Sequence, residues 1–167
     1  MQAPSGGGPF AARVTAAAAM LLADIARASD ATWSEARGIA AQAESLHDRT
    51  SPLADLSAQA YADALDAEGG DYELGRAYAR AAEPPLRIVE AAADVAELAA
   101  YVAEHADPAR RADAVSAGLV AAGCAQAAAE LVAVNLTVGA NDERIRRANL
   151  LAEEAARTAQ AARAARE

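Results

Sequence analysis

The sequence lacks lysine altogether and has few aromatic residues, one cysteine and two histidines. All 15 basic residues are arginine, while aspartate and glutamate number 24, so the formal net charge is −9. A nucleic-acid-binding surface needs a basic face, and this charge balance therefore argues against a nucleic-acid partner. The single cysteine, Cys124, excludes a disulfide framework and is predicted to be a small core residue.

Histidine is too scarce to indicate metal or nucleophile chemistry. His47 and His105 have no His, Cys or carboxylate partner at the spacing of a metal-binding helix, so we predict no metal site. Nothing in the sequence pairs a serine nucleophile with a histidine base either.

We also find no targeting signal and no long uninterrupted apolar run in the sequence. The first ten residues, MQAPSGGGPF, have no basic region before an apolar run, so we do not expect a signal peptide. Arg, Asp and Gln interrupt the alanine-rich segments, which predicts that no 18-residue span crosses a membrane. We therefore expect a cytoplasmic protein with no membrane partner.

Alanine is the commonest residue, and no stretch alternates polar and apolar residues with period two. This pattern predicts an all-α fold: one domain, 1–167, forming a compact bundle of about six helices. Aromatics make up only 4% of the residues, so each buried side chain contributes little apolar area. A second copy would supply the missing apolar contact, and we expect a homo-oligomer.

One helix, at about 108–136, is predicted to be buried at the centre of the bundle. Asp107 can cap its amino end, and Pro108 fits the first helical position. Only two residues between 114 and 129 are polar, and the rest are small or apolar. A helix that is apolar on nearly every side is typical of a bundle centre.

Two polar residues, Asp113 and Asn135, frame this helix. They are 22 residues apart, which places them about 33 Å from each other along a helix. One small ligand cannot contact both on one chain; two sites per chain, or antiparallel pairing of the helix in a dimer, would be needed. Asp113 is a candidate acid or base, although it could instead pair with Arg110 or Arg111 or stabilise the first helical turn.

Three consecutive glycines, Gly6, Gly7 and Gly8, stand between Pro4 and Pro9 in a predicted loop over 1–9. Glycines at such a position allow a sharp bend or let a ligand reach the backbone N–H groups. A flexible terminal leader is the simpler interpretation of this signal alone.

Together these motifs resemble the cyclodeaminase/cyclohydrolase family over essentially the whole chain. The family shows a Pro-Gly-Gly-Gly-Ser loop, an Asp-x-Asp-x-x-Ala-aromatic segment, a Val-Pro-Leu turn, a Ser-Asp pair and an Ile-Asn-Leu. The corresponding segments here are PSGGGPFAA (4–12), LADLSAQAY (53–61), EPPL (83–86), Ala112-Asp113 and VAVNL (132–136).

The resemblance implies an all-α, intertwined homodimer that binds folate near its subunit contacts. It also implies a tetrahydrofolate derivative as substrate, no tightly bound cofactor, and either methenyltetrahydrofolate cyclohydrolase or formiminotetrahydrofolate cyclodeaminase activity. By the same resemblance, Asp113 and Asp55 are the candidate catalytic carboxylates. The implied substrate-binding residues are Gly6, Gly7, Gly8, Ser57 and Asn135.

Three positions depart from the family pattern. Ser57 replaces the second Asp of the acidic segment, Pro9 replaces the Ser after the glycines, and residues 27–30 (RASD) replace a basic cluster. A hydroxyl cannot serve unaided as a general base. Together these departures indicate a changed substrate or a lost activity. The alternative to an enzyme is a non-catalytic relative, a ligand-binding or assembly module on the same scaffold. An unrelated alanine-rich bundle is a third possibility.

Overall fold

The structure, a computed structural model, describes residues 6–136 and 142–165, which form seven α-helices and one short 3-10 turn. The helices are α1 (Gly7–Ala28), α2 (Ala36–Thr50), α3 (Leu53–Leu65), α4 (Asp71–Ala81), α5 (Glu83–His105), α6 (Arg111–Asn135) and α7 (Glu143–Ala164). No strand occurs in these two ranges, which confirms the all-helical prediction. The predicted number of helices, about six, needs correction: five long helices build the bundle and two shorter ones, α3 and α4, close one end.

The bundle is organised around α5 and α6, which pack along most of their lengths. Helices α1 and α7 lie against both, and α2 covers α1. A small second cluster of buried alanines, Ala64, Ala77 and Ala81, joins α3 to α4. Small side chains let α5 and α6 approach closely. A β-carbon on Gly118 of α6 would lie 3.0 Å from the β-carbon of Ala99 of α5.

The amino end of α6 has the predicted cap. The Asp107 carboxylate accepts a hydrogen bond from the Ala109 N–H at 2.9 Å, and residues Pro108–Arg110 form the 3-10 turn that leads into the helix. The predicted burial on nearly every side, however, is wrong for one chain. An exposed face runs the length of the helix and includes Asp113, Ser116, Val120, Gly123, Ala127, Glu130 and Val134, and Ala112 and Gln126 are exposed as well.

Two local predictions also need correction. The glycine segment is not a loop as far as residue 9, because α1 already begins at Gly7. The first-turn N–H groups of a helix have no intrahelical partner, so Pro9 costs no hydrogen bond there. The sequence also predicts that Asp30 or Thr32 caps α2, but this helix has no side-chain cap, and the Asp30 carboxylate pairs with Arg37 at 2.9 Å. The sequence further predicts a helix stop at Gly139, and this prediction lies outside the described residues, as do all predictions at residues 1–5 and 137–141.

Two helical stretches are long and apolar enough to cross a membrane by length and composition, α1 and Pro108–Asn135. This corrects the prediction that no such span exists. However, 61% and 50% of their apolar windows are buried inside the bundle. The core helices of a soluble protein show the same combination, so the finding is weak evidence for a membrane.

Candidate functional site

A cavity of about 300 Å³ opens where the start of α1 meets α3, the α4–α5 junction and the end of α6. Because α1 and α6 run antiparallel, the glycines at the start of one helix lie beside the last turns of the other. The lining residues are Gly6, Gly7, Gly8, Pro9, Ser57, Ala58, Tyr61, Ala81, Pro85, Leu131, Val134 and Asn135.

The start of α1 gives this cavity backbone hydrogen-bond donors. Gly6 is the N-cap, with extended backbone and no side-chain cap, and the first helical hydrogen bond runs from the Phe10 N–H to the Gly6 carbonyl at 3.1 Å. The N–H groups of Gly7 and Gly8 therefore have no partner within the helix. No acidic residue occupies the first turn.

Ser57 and Gly8 lie in unusually close contact. A β-carbon on Gly8 would lie 2.1 Å from Ser57 Oγ and 3.1 Å from Ser57 Cβ. Any residue other than glycine would therefore force α1 away from α3 at this point. Ser57 is only 6% exposed, and it faces the cavity from the middle of α3.

Asn135 and Tyr61 supply the other polar groups of the lining. Asn135 Nδ2 donates a hydrogen bond to the Ala81 carbonyl at 3.2 Å, which ties the last turn of α6 to the end of α4. Its side-chain oxygen takes no part in that bond. Tyr61 is 48% exposed, so its ring forms part of the open rim.

A second, more open groove of about 810 Å³ shares Asn135 with the cavity. Tyr72, Tyr78 and Arg76 lie along it, with the Arg76 guanidinium 5.8 Å from the centre of the Tyr72 ring. The two depressions therefore adjoin each other at Asn135.

Arg144 lies at the far side of the second groove, held by carboxylates. It pairs with Asp142 at 2.9 Å and with Glu83 at 2.8 Å. The hydrogen bond from Arg144 lowers the pKa of Asp142 and raises the pKa of Arg144 itself. These two carboxylates neutralise Arg144, so it does not add a strong positive charge to the groove.

The structure brings together all five predicted substrate-binding residues: Gly6, Gly7, Gly8, Ser57 and Asn135. It does not bring either predicted catalytic carboxylate to them within one chain. Asp113 is exposed at the opposite end of α6. The Asp55 side chain is 87% exposed, two residues from Ser57 on another face of α3, with Arg13 at 3.8 Å. The catalytic roles of both carboxylates stay predictions.

Sequence reasoning did not identify Leu131, Pro85 or Ala58 as parts of the site, since apolar lining residues look like any other core residue. The EPPL segment could have indicated Pro85, because its prolines lie in the first turn of α5 and Pro85 lines the cavity. Among the described lining residues Tyr61 is the only ionisable one. No group of three or more His, Cys, Asp or Glu side chains suited to a metal occurs in residues 6–136 and 142–165.

The fold and site define an all-helical domain with a glycine-lined cavity at the start of its first helix. The family model described as formiminotransferase-cyclodeaminase matches residues 1–157, and the chain belongs to this family. The match confirms the family predicted from the sequence, and it supports the interpretation as a folate-dependent one-carbon enzyme.

The crystal structure of formiminotetrahydrofolate cyclodeaminase from Thermotoga maritima is similar in fold. The TM-score is 0.82 at 19% sequence identity, with 94% of this chain and 86% of that chain covered. No curated protein sequence matches the chain.

Proposed function

We propose that this chain is a methenyltetrahydrofolate cyclohydrolase or a formiminotetrahydrofolate cyclodeaminase, a cytoplasmic homodimer with no tightly bound cofactor. The observation that carries the proposal is the convergence of the glycine segment, Ser57 and Asn135 on one cavity. These residues are far apart in sequence, and the sequence alone predicts each of them as part of a ligand site. The family match over residues 1–157 supports the same conclusion.

The shape of the site suits a long, partly flat ligand. At about 300 Å³, the cavity is at the small end of ligand pockets and holds one ring system rather than a whole folate. Leu131 and Tyr61 offer apolar surface to a pterin. The rest of the ligand would pass Asn135 into the second groove, towards Tyr72 and Tyr78.

The exposed face of α6 supports the dimer. Val120 is 46% exposed and Val134 is 65% exposed, and α1 adds Phe10, 67% exposed. A β-carbon on Gly123, near the middle of the face, would meet no atom within 4 Å in one chain. Small residues along such a face let a second helix approach closely, and the proposed occupant is α6 of a second copy.

Antiparallel pairing of the two α6 helices would complete the site. A two-fold axis near Gly123 is about equally distant from Asp113 and Asn135 along the helix, so it would place Asp113 of the partner subunit beside Asn135. Each cavity would then gain a carboxylate from the other chain. This arrangement resolves the separation of about 33 Å between the two residues.

In this proposal, Asp113 of the partner subunit transfers protons. In the cyclohydrolase reaction it would take a proton from water as the oxygen adds to the methenyl carbon, and the ring would then open to the formyl product. In the cyclodeaminase reaction it would protonate the departing ammonia as N10 closes on the formimino carbon. Either role requires the carboxyl to lie within hydrogen-bond reach of the group that gains or loses the proton.

A specific observation favours a second candidate, a non-catalytic relative that binds a folate or acts in assembly. The described lining of the cavity in one chain contains no carboxylate and no histidine. Catalysis by acid or base therefore depends on the partner chain. If the dimer does not deliver Asp113, the cavity is only a binding site.

The proposal is tested by mixing the purified protein with 5,10-methenyltetrahydrofolate and following the loss of the methenyl absorbance above its spontaneous rate. Formation of the same chromophore from 5-formiminotetrahydrofolate tests the second reaction. We expect acceleration of one of them, and we expect the Asp113→Ala variant to lose it by at least about a hundredfold, as is typical for a general acid or base.

The matched control is Asp48→Ala, the same substitution at an exposed aspartate of α2. It should turn over at the wild-type rate. No acceleration of either reaction by the wild-type protein would contradict the enzyme and favour the non-catalytic relative. Full activity of Asp113→Ala would remove that residue from the mechanism.

A further inference from the structure

Two guanidinium groups, those of Arg144 and Arg76, line the second groove, and they differ in what holds them. Arg144 pairs with Asp142 and Glu83 and also donates a hydrogen bond to the Ala79 carbonyl at 3.2 Å. The protein itself therefore occupies most of its donors. Arg76, in the middle of α4, makes no hydrogen bond or ion pair within the part of the chain that the structure describes, so its donors are available to a ligand.

The sequence around the groove does not offer Arg76 a carboxylate either. Residues 137–141, which connect α6 to α7, are TVGAN and contain no acidic side chain. Asp71 also lines the groove, but it is five residues before Arg76 on α4, which is not the spacing of a helical ion pair. Among the described residues, no ion pair joins the two side chains. The charge of Arg76 is therefore not compensated within the groove.

Tyr72 positions the Arg76 guanidinium for contact with a ligand. The two residues are four apart on α4 and share a face of the helix, and the guanidinium lies over the Tyr72 ring, 5.8 Å from its centre. A guanidinium over an aromatic ring keeps its N–H edge free, and this edge matches the two oxygens of a carboxylate. Because Tyr72 is 70% exposed, a ligand can reach the pair from solvent.

The distance from the cavity to this pair suits the proposed ligand. Asn135, which lines both depressions, donates to the Ala81 carbonyl at the end of α4. Arg76 is five residues before Ala81, about 7.5 Å along the helix, and its side chain is directed towards the start of α4. In a folate, a p-aminobenzoyl group separates the pterin from the glutamate by a comparable distance. A pterin in the cavity therefore places the glutamate near Arg76.

We infer that Arg76 is a specificity-determining residue, which binds a carboxylate of the ligand's glutamate and so distinguishes a folate from the same pteroate without glutamate. The inference rests on the proposed function for the identity of the ligand. Arg76 lies away from the cavity that holds the pterin, so it contributes to binding and not to the chemical step. The Arg76→Gln variant should therefore raise KM for the active folate substrate and leave kcat unchanged.

The probe is 5-formyltetrahydrofolate, from which neither proposed reaction starts, and 5-formyltetrahydropteroate is the same molecule without glutamate. Calorimetric titration of the full-length protein measures the dissociation constant of each. We expect Arg76→Gln to bind 5-formyltetrahydrofolate at least about tenfold more weakly than the wild type, as for the loss of one hydrogen bond between charged groups. It should bind the pteroate as the wild type does.

The matched control is Arg80→Gln, the same substitution at an exposed position of α4 that is not among the described lining residues of the groove. It should bind both probes with wild-type affinity. Wild-type affinity of Arg76→Gln for 5-formyltetrahydrofolate would overturn the inference. An equal loss of affinity for both probes would also overturn it, because that result indicates a structural role for Arg76.

The two proposals fail separately. Arg76-dependent binding of 5-formyltetrahydrofolate without turnover of either folate would leave the glutamate contact intact and overturn the proposed enzyme. Folate turnover with the same KM in Arg76→Gln and the wild type would leave the enzyme intact and overturn the role of Arg76. A wild-type protein that binds neither probe and turns over neither folate would overturn both.

Discussion

At the residue scale, the contact between Gly8 and Ser57 decides the shape of the cavity. We predict that Gly8→Ala lowers the free energy of unfolding by about 1–3 kcal/mol, because the new methyl group would overlap Ser57 Oγ. In the Ser57→Ala background the same substitution should cost less, since the nearest remaining atom is a β-carbon at 3.1 Å. Urea denaturation of the four proteins measures this coupling.

The control for this cycle is Gly38→Ala. Gly38 is an exposed position of α2 where a β-carbon meets nothing within 4 Å. Alanine there should stabilise the protein by about 0.5–1 kcal/mol through helix propensity. A Gly8→Ala cost that is equal in both backgrounds would show that Ser57 is not the obstacle.

Much of the candidate site could be predicted from the sequence, because glycines and polar residues stand out in an alanine-rich chain. The glycines, Ser57 and Asn135 lie in recognisable segments, whereas Leu131 does not differ in sequence from core leucines. The exposure of Asp55 could not be foreseen either. Asp55 and Ser57 are two residues apart, so their side chains point about 200° apart around α3. Which of the two faces the cavity depends on how α1 packs against α3.

At the scale of single elements, the cap of α7 links a local hydrogen bond to pH. The Asp142 carboxylate accepts from the Arg144 N–H at 2.8 Å and pairs with its guanidinium. We predict that Asp142→Ala lowers the free energy of unfolding by about 0.5–2 kcal/mol near neutral pH. Chemical denaturation as a function of pH provides the measurement.

The acid dependence of this effect follows from the lowered pKa of Asp142 in the folded protein. Its charge stabilises the fold above the pKa of the unfolded chain, about 3.9, and the benefit is lost as the pH falls through the lower folded value. The gap between wild type and Asp142→Ala should therefore shrink under acid. Asp142→Asn keeps a capping oxygen without the charge, so it should be less sensitive to pH. A gap that is constant down to pH 2 would contradict this explanation.

The helices themselves were predictable because alanine content and capping residues are local signals. Asp107 forms its predicted cap, and α5 begins at Glu83, directly before the two prolines of the EPPL segment. The absence of a side-chain cap on α2 was not predictable, since Asp30 pairs instead with Arg37, seven residues further along the chain. The predicted burial of α6 failed because its apolar face extends beyond the area that one chain covers.

At the scale of the whole molecule, the exposed face of α6 predicts a dimer. Val120→Asp places a charge in the middle of that face and should give a monomer in sedimentation experiments at micromolar concentration. Leu150→Asp is the matched control, because Leu150 is 59% exposed on α7 and lies outside the face. A wild-type chain that is itself monomeric, or a dimer that survives Val120→Asp, would contradict this interface.

Mixed dimers test most directly the central claim that each cavity receives Asp113 from the other chain. The variants Asp113→Ala and Asn135→Ala are purified separately, unfolded together and refolded, and turnover of the active folate substrate is measured. Each mixed dimer has one intact site, so random mixing should restore about one quarter of the wild-type activity. Activity no greater than that of the two variants refolded separately would contradict the shared site.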